Sequence, residues 1–543
     1  MHVSSSCVSA LLVAILVVAG PRYVGTQRAD MTAGSDAVSV QPYLQPIAIY
    51  KAALGPFSWP ISSKSPEAQA YFDQGAQVRY SLGKVDAVRS FREAWRRDPT
   101  CAICHWGEAW AWGQNLNAPV RPAEMPYAYA AIQQAVKLKA NASAREAALI
   151  EAMALRYSPT YDDKKLKDLQ VAYAAAMERV VRRFPDDVNA RTLYGEALFV
   201  QLPRAGARDA SDPAVRRVMT AFETVLAADI RHPGACHLYV HVTEATAVAE
   251  KGAACAQFLG RSVPGASHMV HMPSHTWTQI GRWGDAVRSS LDAWHTDQRA
   301  AAGQAFAIYP DHNLHMLIYA ASMDGQGSVA VQAGQNLAKL VGDTTFQLLA
   351  MIRFGRFNDI RGFTTRPRLP PDAGVWDFAE AYTELRLGNL PQAQILADRL
   401  ATMTNVAATT NVPASYRGQS TAGFLGVLNG ILQGEMLRGG NPTGAIAAFQ
   451  RAVAAQDTFM WDEPEPLPFS ARHWLGAALI DQQRFAEAEA VYRTDLEKHP
   501  HNGWALFGLQ QALAGQHKAT AAVAKQFQTA WLRADVRLTA TRF

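Results

Sequence analysis

A pattern of small and aromatic residues that recurs along the chain constrains the fold most strongly. Between residues 71 and 99, Gly75, Ala87, Phe91, Ala94 and Pro99 occupy the places expected in a helix–turn–helix unit of 34 residues. Small residues allow the two helices of such a unit to approach closely, and proline ends the second helix. The same pattern returns near the other end of the chain, at Gly476, Ala488, Tyr492 and Pro500.

These spacings are typical of the tetratricopeptide repeat (TPR). Trp504, Phe507 and Gly508 begin one more unit in register, degenerate units lie between the two ends, and strand patterns are nearly absent. We therefore predict an all-α fold: a TPR-type helix–turn–helix solenoid, wound as a right-handed superhelix in two halves. The predicted segments are a signal peptide (1–25), an N-terminal arm on the first helices (26–65), a first TPR array (66–364), a Pro-rich linker (365–374) and a second TPR array (375–543).

The N-terminal sequence and the net charge indicate where the protein is located and which partners it is not expected to bind. An apolar run at about residues 8–19 ends in small residues and is too short to span a bilayer, which is typical of a secretory signal. We expect export, to the periplasm, and no membrane span in the mature chain. A net charge of +5 over 543 residues, without a basic stripe interleaved with aromatics, does not indicate nucleic-acid binding.

Histidine is concentrated in the middle of the chain. Seven of the 15 histidines form three short runs between residues 237 and 315. The metal-capable side chains of these runs are His237, His241 and Glu244; His268, His271 and His275; and His312 and His315. Spacings of three and four residues place each run on one face of a helix. Histidine and carboxylates are usual ligands for zinc and the first-row transition metals.

The repeat register brings the three runs together. In TPR folds the second, fifth and ninth residues of each first helix line the concave groove, and Gly281 and Gly325 fix two units that start near Ser267 and Asp311. The second and third runs occupy these places, with Tyr319 at the ninth place of the later unit. Adjacent first helices lie about one helix diameter apart, so side chains of neighbours can bind one ion. We therefore predict a transition-metal site in this groove.

The sequence does not decide which metal this site binds, how many ions it holds or whether it is catalytic. Zinc and copper both suit imidazole ligands, and more than four histidines imply either two ions or some supporting histidines. A site with an open position could activate water or dioxygen, with Glu244 or Tyr319 as acid or base, so an enzyme is one alternative. The other alternative is a metal-free interaction scaffold, whose groove binds a protein, a peptide or a small molecule through these histidines.

The cysteines add a second motif. Cys101, Cys104 and His105 match the CxxCH motif of c-type haem attachment, in which two thiols bind haem and the histidine is an axial ligand. The motif also lies within the repeat register, where a haem would displace helix packing. A local Cys101–Cys104 disulfide or free thiols are the alternatives. Cys236 and Cys255, 19 residues apart, could join the two helices of one repeat.

Several longer segments carry a resemblance. They are YFDQG at 71–75, CAICHWGEAWAWGQNLNAP at 101–119, CHLYVHVTEA at 236–245, PGASHMVHMPSHTWTQIGRW at 264–283, DHNLHMLIYAASMDGQ at 311–326 and HNGWALFGL at 501–509. On these segments the chain resembles a group of bacterial exported TPR-repeat proteins with CxxC[HY]WG and HxxxH or HxxHxxxH signatures. The resemblance implies a TPR fold, secretion and a histidine-lined groove, and no particular activity. Relatives often carry tyrosine where this chain has His105, which favours a disulfide over haem.

Further polar residues are candidates for the groove. They are Glu108, Asn115, Asn117 and Glu196. A Pro-rich segment at 461–474, which contains Asp462 and Glu463, is expected to form a rigid loop over the end of a repeat or a charged surface turn.

Overall fold

The computed structural model describes residues 39–203, 206–409, 415–416 and 418–543. The predicted signal peptide and the first part of the arm, residues 26–38, lie outside the described residues. The helices before the centre of the chain are α1 (Gln41–Leu44), α2 (Pro66–Tyr80), α3 (Lys84–Arg97), α4 (Ala102–Trp112), α5 (Met125–Lys137), α6 (Ala144–Met153), α7 (Asp163–Arg183), α8 (Val188–Phe199), α9 (Pro213–Ala228), α10 (Pro233–Thr243), α11 (Ala253–Ser262), α12 (Ser267–His271) and α13 (Pro273–Gln279).

The helices that follow complete the scaffold. They are α14 (Trp283–Ala301), α15 (Pro310–Met323), α16 (Gly327–Val341), α17 (Thr345–Arg353), α18 (Phe357–Ile360), α19 (Asp372–Arg386), α20 (Leu390–Thr409), α21 (Thr421–Leu437), α22 (Pro442–Asp457), α23 (Arg472–Asp481), α24 (Phe485–Lys498), α25 (Gly503–Gly515) and α26 (Ala521–Ala530). Short 3₁₀ turns lie at Lys51–Ala53, Lys139–Asn141 and Ala249–Gly252. Two-residue strands, Ser415–Tyr416 and Gln419–Ser420, pair antiparallel before α21.

Local sequence signals set where the helices begin. The Ser65 side chain accepts a hydrogen bond from the backbone N–H of Ala68, and Pro66 occupies the first turn, where its missing N–H costs nothing. Ser143 and Glu146 form a reciprocal capping box at the start of α6. These caps satisfy backbone donors that a helix end would otherwise leave unpaired.

The packing order of the helices is that of a TPR-type solenoid. Consecutive helices contact each other, and the first helix of a pair also packs on the first helix of a later pair, as α2 does on α4, α8 on α10, α12 on α15 and α23 on α25. The predicted all-α TPR-type fold is thus confirmed.

Aromatic side chains of second helices fix the close approach of first helices. The Phe91 ring lies between Gly75 and Gly107, where an added Cβ would come within 2.9 and 2.4 Å of it. Tyr492 lies in the same way between Gly476 and Gly508, with distances of 2.3 and 2.2 Å. A side chain at any of these glycines would push two first helices apart, which explains why glycine recurs in the repeat pattern.

Residues 41–62 begin on the second helix α3, where α1 packs, and from Ala48 run along the face formed by the first helices, which is the concave face of a TPR array. Trp59 is 1% exposed and its ring packs against Phe72, Trp106 and Trp110 at centroid distances of 5.6 to 6.1 Å. Gly55, four residues before Trp59, lies against the backbone carbonyl group of Ser262 at the end of α11. Helix α10 also packs on α2. The chain therefore fills its own concave surface in this part of the array.

The hydrophobic core falls into two main clusters that meet among α11 to α15. The second cluster contains residues on both sides of the Pro-rich segment 365–374, since α17 packs on α19. Leu369 within that segment is 73% exposed. Within the described ranges, no helix has the length and apolarity needed to cross a membrane.

Candidate metal centre

Six histidines from four helices form one cluster, which we call the histidine cluster; all are buried except His312, which is half-buried. Helix α10 contributes His237 and His241, α12 contributes His268 and His271, α13 contributes His275 and α15 contributes His312. Ring centroids of neighbours lie 4.5 Å apart for His271 and His275, 4.8 Å for His271 and His312, and 5.0 Å for His237 and His268. First helices that follow one another in the array thus bring the three sequence runs together.

A break in one helix shapes the middle of the cluster. The run from Ser267 to Gln279 forms two short helices, α12 and α13, which meet at Met272 and Pro273. Proline has no N–H to donate, so the hydrogen-bond ladder is interrupted at that point.

Three of the histidines form a first group. Ring nitrogens of His237, His241 and His268 lie within 4.8 Å of one another. His237 Nδ1 hydrogen-bonds to the backbone carbonyl oxygen of Tyr80, and because a carbonyl only accepts, this nitrogen carries the proton. Its Nε2 therefore presents a lone pair. Among the described residues, neither that Nε2 nor either ring nitrogen of His268 has a hydrogen-bond partner.

The other three histidines form a second group. Nitrogens of His271, His275 and His312 also lie within 4.8 Å of one another. His275 Nε2 is 2.7 Å from His271 Nε2 and 3.5 Å from His312 Nε2, and His271 Nδ1 is 3.0 Å from Ser274 Oγ. Two ring nitrogens at 2.7 Å must share a proton or a cation, because two lone pairs at that distance repel.

Glu244 and Glu463 lie between the two groups. Glu244 Oε1 accepts a hydrogen bond of 2.7 Å from His241 Nδ1, and its Oε2 accepts one from His275 Nδ1. Glu463 Oε2 is 3.0 Å from the same His275 nitrogen. One carboxylate thus orients one histidine of each group, leaving both Nε2 atoms directed at their own group. Carboxylates often hold metal-binding histidines in this way.

Burial sets the protonation of the cluster. Burial, and then the neighbouring His241, holds the pKa of His237 well below its usual range. Burial followed by histidine neighbours does the same to the pKa values of His268 and His271. Burial also lowers the pKa of His275, but Glu244 and Glu463 outweigh it and raise that pKa to about 10. Without a metal, His237, His268 and His271 are therefore neutral imidazoles at pH 7, whereas His275 is an imidazolium.

Two other predicted residues on α15, His315 and Tyr319, lie outside the histidine cluster. The His315 ring packs on Phe346 at a centroid distance of 3.9 Å, so it is not grouped with the other histidines. Tyr319 is buried beside Trp283, at a centroid distance of 6.0 Å. His315 lies about one helical turn after His312, on a part of α15 that contacts α17. Its surroundings therefore differ from those of His312.

A cleft of about 450 Å³ leads to the cluster. Glu244, His275 and Tyr319 line one wall, and the segment 456–466 lines the other. Glu463 comes from that segment, for which the sequence predicts only a rigid loop or a charged surface turn, so its position at the histidine cluster was not predicted. The sequence shows only that Glu463 is acidic and precedes a proline. Nothing in the neighbouring residues indicates that it contacts His275.

The remaining groove candidates belong to structural networks. Glu108 accepts hydrogen bonds from Arg92, Trp95 and Trp112. Glu196 forms a buried ion pair of 2.6 Å with Arg79.

Two neighbouring asparagines shape a turn. Asn115 Oδ1 accepts hydrogen bonds from the backbone N–H groups of Asn117 and Ala118 at 2.9 and 2.7 Å. This is the pattern of an Asx turn, which fixes the loop after α4.

The surroundings of the CxxCH motif do not fit a haem. Cys101 and Cys104 are joined as a disulfide, every residue of α4 is buried, and the His105 ring stacks on Trp95 at 5.1 Å. A haem would require free thiols and a flat space beside the helix. A second disulfide joins Cys236 on α10 to Cys255 on α11.

Comparisons with known proteins bear only on the scaffold. No protein-family model matches the chain, and no curated protein was found to be similar to it. Among solved structures, the chain is similar to a human IFIT1 dimer with m7Gppp-AAAA, at 10% identity over 86% of this chain and 96% of that one, with a TM-score of 0.30. Yeast Tom70 aligns at 11% identity over 86% and 100% of the two chains, also with a TM-score of 0.30. The TPR domain of P58(IPK) aligns at 11% identity over 83% and 98%, with a TM-score of 0.20.

Proposed function

We propose that this protein binds two transition-metal ions, one in each group of three histidines. The observation that carries the proposal is the convergence of six imidazoles and Glu244 in a buried space. A buried polar group without a hydrogen bond costs roughly 1 to 3 kcal/mol, and His237 and His268 together present three such nitrogens among the described residues. A cation in the first group would satisfy His237 Nε2 and one ring nitrogen of His268.

The donor set favours copper or zinc. Imidazole nitrogen suits both metals, and copper binds such sites more tightly than its neighbours in the first row. Neutral imidazole is the form that binds metal, and burial keeps His237, His268 and His271 neutral at pH 7. The second group must lose the proton shared by His271 and His275 before it can bind an ion. Metal uptake there therefore releases a proton to solvent.

Access to the cluster supports a reactive role for the second group. His275 and Glu244 line the cleft, whereas His237 and His268 do not. Three histidines leave a fourth position at a metal that water or another small molecule can occupy. An ion in the second group would polarise that molecule, and Glu463 would stand beside it as a proton acceptor.

Metal content tests the proposal directly. The full chain, produced without an affinity tag and offered copper or zinc, is expected to retain about two ions after gel filtration, as measured by mass spectrometry. His237→Ala combined with His268→Ala should remove one ion, and His271→Ala combined with His312→Ala the other. The exposed His295 on α14 provides the matched control, and His295→Ala should leave both. Fewer than about one ion in ten chains, with no uptake of added metal, would overturn the proposal.

The TPR-type scaffold itself suggests a role in protein interaction, because stacked helix pairs present extended surfaces. The concave face of the first units is covered by residues 41–62, so a partner of this chain would need another surface or would need to displace that segment. A partner captured equally well by the wild type and by the metal-free histidine variants would favour this second function.

A further inference from the structure

The cleft beside the histidine cluster has the size and lining of a small-molecule site. Its volume of about 450 Å³ lies in the range of roughly 300 to 1,000 Å³ that is usual for such sites. Aromatic and thioether side chains make up much of its walls. They are Trp283, Met316, Tyr319, Phe459, Met460 and Trp461. Flat aromatic faces of this kind favour a flat aromatic ligand, by stacked or edge-on contact.

The charged groups of the cleft are paired with one another. Arg472 donates two hydrogen bonds to Asp457, and Lys498 donates another to the same carboxylate. His499 Nε2 lies 3.0 Å from Glu465 Oε1. On the cluster side, Glu463 contacts His275. A charged ligand would have to break one of these pairs, so the cleft favours an uncharged molecule.

The cationic donors of the cleft already have acceptors, whereas its carboxylates can accept further hydrogen bonds. Asp462, Glu463 and Glu465 line it, and each carboxylate offers about four lone-pair sites. Arg472 and Lys498 are bound to Asp457, His499 to Glu465 and His275 to Glu463. A ligand that complements this lining must bring donors of its own. Hydroxyl groups on an aromatic ring meet that need without adding charge.

We infer that the cleft binds a small aromatic molecule with hydroxyl donors, a phenol or a catechol. The ring packs against Trp461 and the neighbouring aromatic side chains, and the hydroxyls donate to Glu463 or Glu465. Trp461 Nε1 is buried and has no hydrogen-bond partner within the described part of the chain. The position of the ligand beside a metal ion rests on the proposed function, but its binding to the cleft does not.

Calorimetric titration of metal-free protein, kept in a chelator, tests the inference with 4-methylcatechol as the probe. Two analogues separate ring from donors: 3,4-dimethoxytoluene keeps the ring and lacks the donors, and cyclohexane-1,2-diol keeps the donors and lacks the aromatic ring. We expect 4-methylcatechol to bind at least about tenfold more tightly than either, since a lost hydrogen bond to a charged group or a lost aromatic contact each costs about that factor. Equal affinity for all three, or no binding of 4-methylcatechol, would overturn the inference.

Variants locate the binding. Trp461→Leu and Glu465→Gln should each weaken 4-methylcatechol at least about fivefold, because one removes a stacking face and the other an ionised acceptor. Trp376→Leu is the matched control, since Trp376 is also half-buried with an indole N–H that lacks a partner in the described residues, but it lies on α19 and does not line the cleft. Unchanged affinity in both cleft variants would contradict the inference. So would binding that occurs only after metal is added, because the catechol would then be a ligand of the metal alone.

Discussion

At the scale of single residues, Glu244 is the position on which the cluster depends most. Its two oxygens hold one histidine of each group, so its loss frees both rings at the same time. Glu244→Gln keeps the shape but replaces one acceptor with a donor, which faces an imidazole N–H. We expect metal affinity to fall about 10- to 100-fold, measured by competition with a chromophoric chelator.

Glu250→Gln provides the control for that measurement. Glu250 is exposed in the 3₁₀ turn Ala249–Gly252, which follows helix α10 and Glu244 in the chain. Its substitution should leave metal affinity unaltered. Equal affinities for Glu244→Gln and the wild type would show that Glu244 does not position the histidines.

Asp297 gives a pH dependence that is independent of metal. Burial raises its pKa to about 7, in spite of hydrogen bonds from Ser267 and Asn313. As the pH rises from about 4 to 7, the unfolded chain loses this proton first, so the folded state is destabilised over that window. One pKa unit corresponds to about 1.4 kcal/mol, so the loss is a few kcal/mol at most.

Asp297→Asn should abolish this loss of folding stability with rising pH. In metal-free protein we expect its thermal midpoint to exceed that of the wild type by an amount that grows between pH 5 and pH 7.5. Asp292→Asn, an exposed change on the same helix, should follow the wild type at every pH. A constant difference between Asp297→Asn and the wild type would contradict the assignment.

At the scale of elements, the segment 41–62 acts as a fixed part of the first repeats. Trp59 is its deepest anchor, held among three aromatic rings. Trp59→Ala should lower the free energy of unfolding by about 3 to 5 kcal/mol, because a large buried ring leaves a cavity. Chemical denaturation provides the measurement. Leu369→Ala, at a 73% exposed position, should change it by less than about 0.5 kcal/mol.

The sequence predicted the elements that depend on local spacing. Gly75, Phe91 and their counterparts near Tyr492 revealed the repeat because each contact lies within one unit or between adjacent units. The same register brought the three histidine runs together, since they lie on consecutive first helices. The register did not indicate that the His315 ring packs on Phe346.

Contacts between distant segments were outside the reach of periodicity. Glu463 meets His275 only because the loop 456–466 closes over the array, and no local pattern encodes that meeting. No local pattern predicts the burial of Trp59 either, because its ring packs against helices of two different repeats, α2 and α4. The division of the hydrophobic core among α11 to α15 likewise depends on packing rather than on the proline run at 365–374.

At the scale of the whole molecule, the cluster joins segments that are far apart in sequence. Ions bound to α10, α12, α13 and α15, with Glu463 beside them, should stabilise these segments together. A ligand present at about 100 times its Kd stabilises a folded state by about 2.7 kcal/mol. We therefore expect metal to raise the thermal midpoint by several degrees, and Glu463→Gln to reduce this rise. Glu497→Gln, an exposed change on α24, should keep the rise intact.

Anomalous X-ray scattering at the copper or zinc absorption edge tests the central claim most directly. Crystals of the metal-loaded chain are expected to show two peaks. One should lie among His237, His241 and His268, and the other among His271, His275 and His312. Peaks only at surface histidines such as His295 or His517, or no peak after loading, would contradict the account.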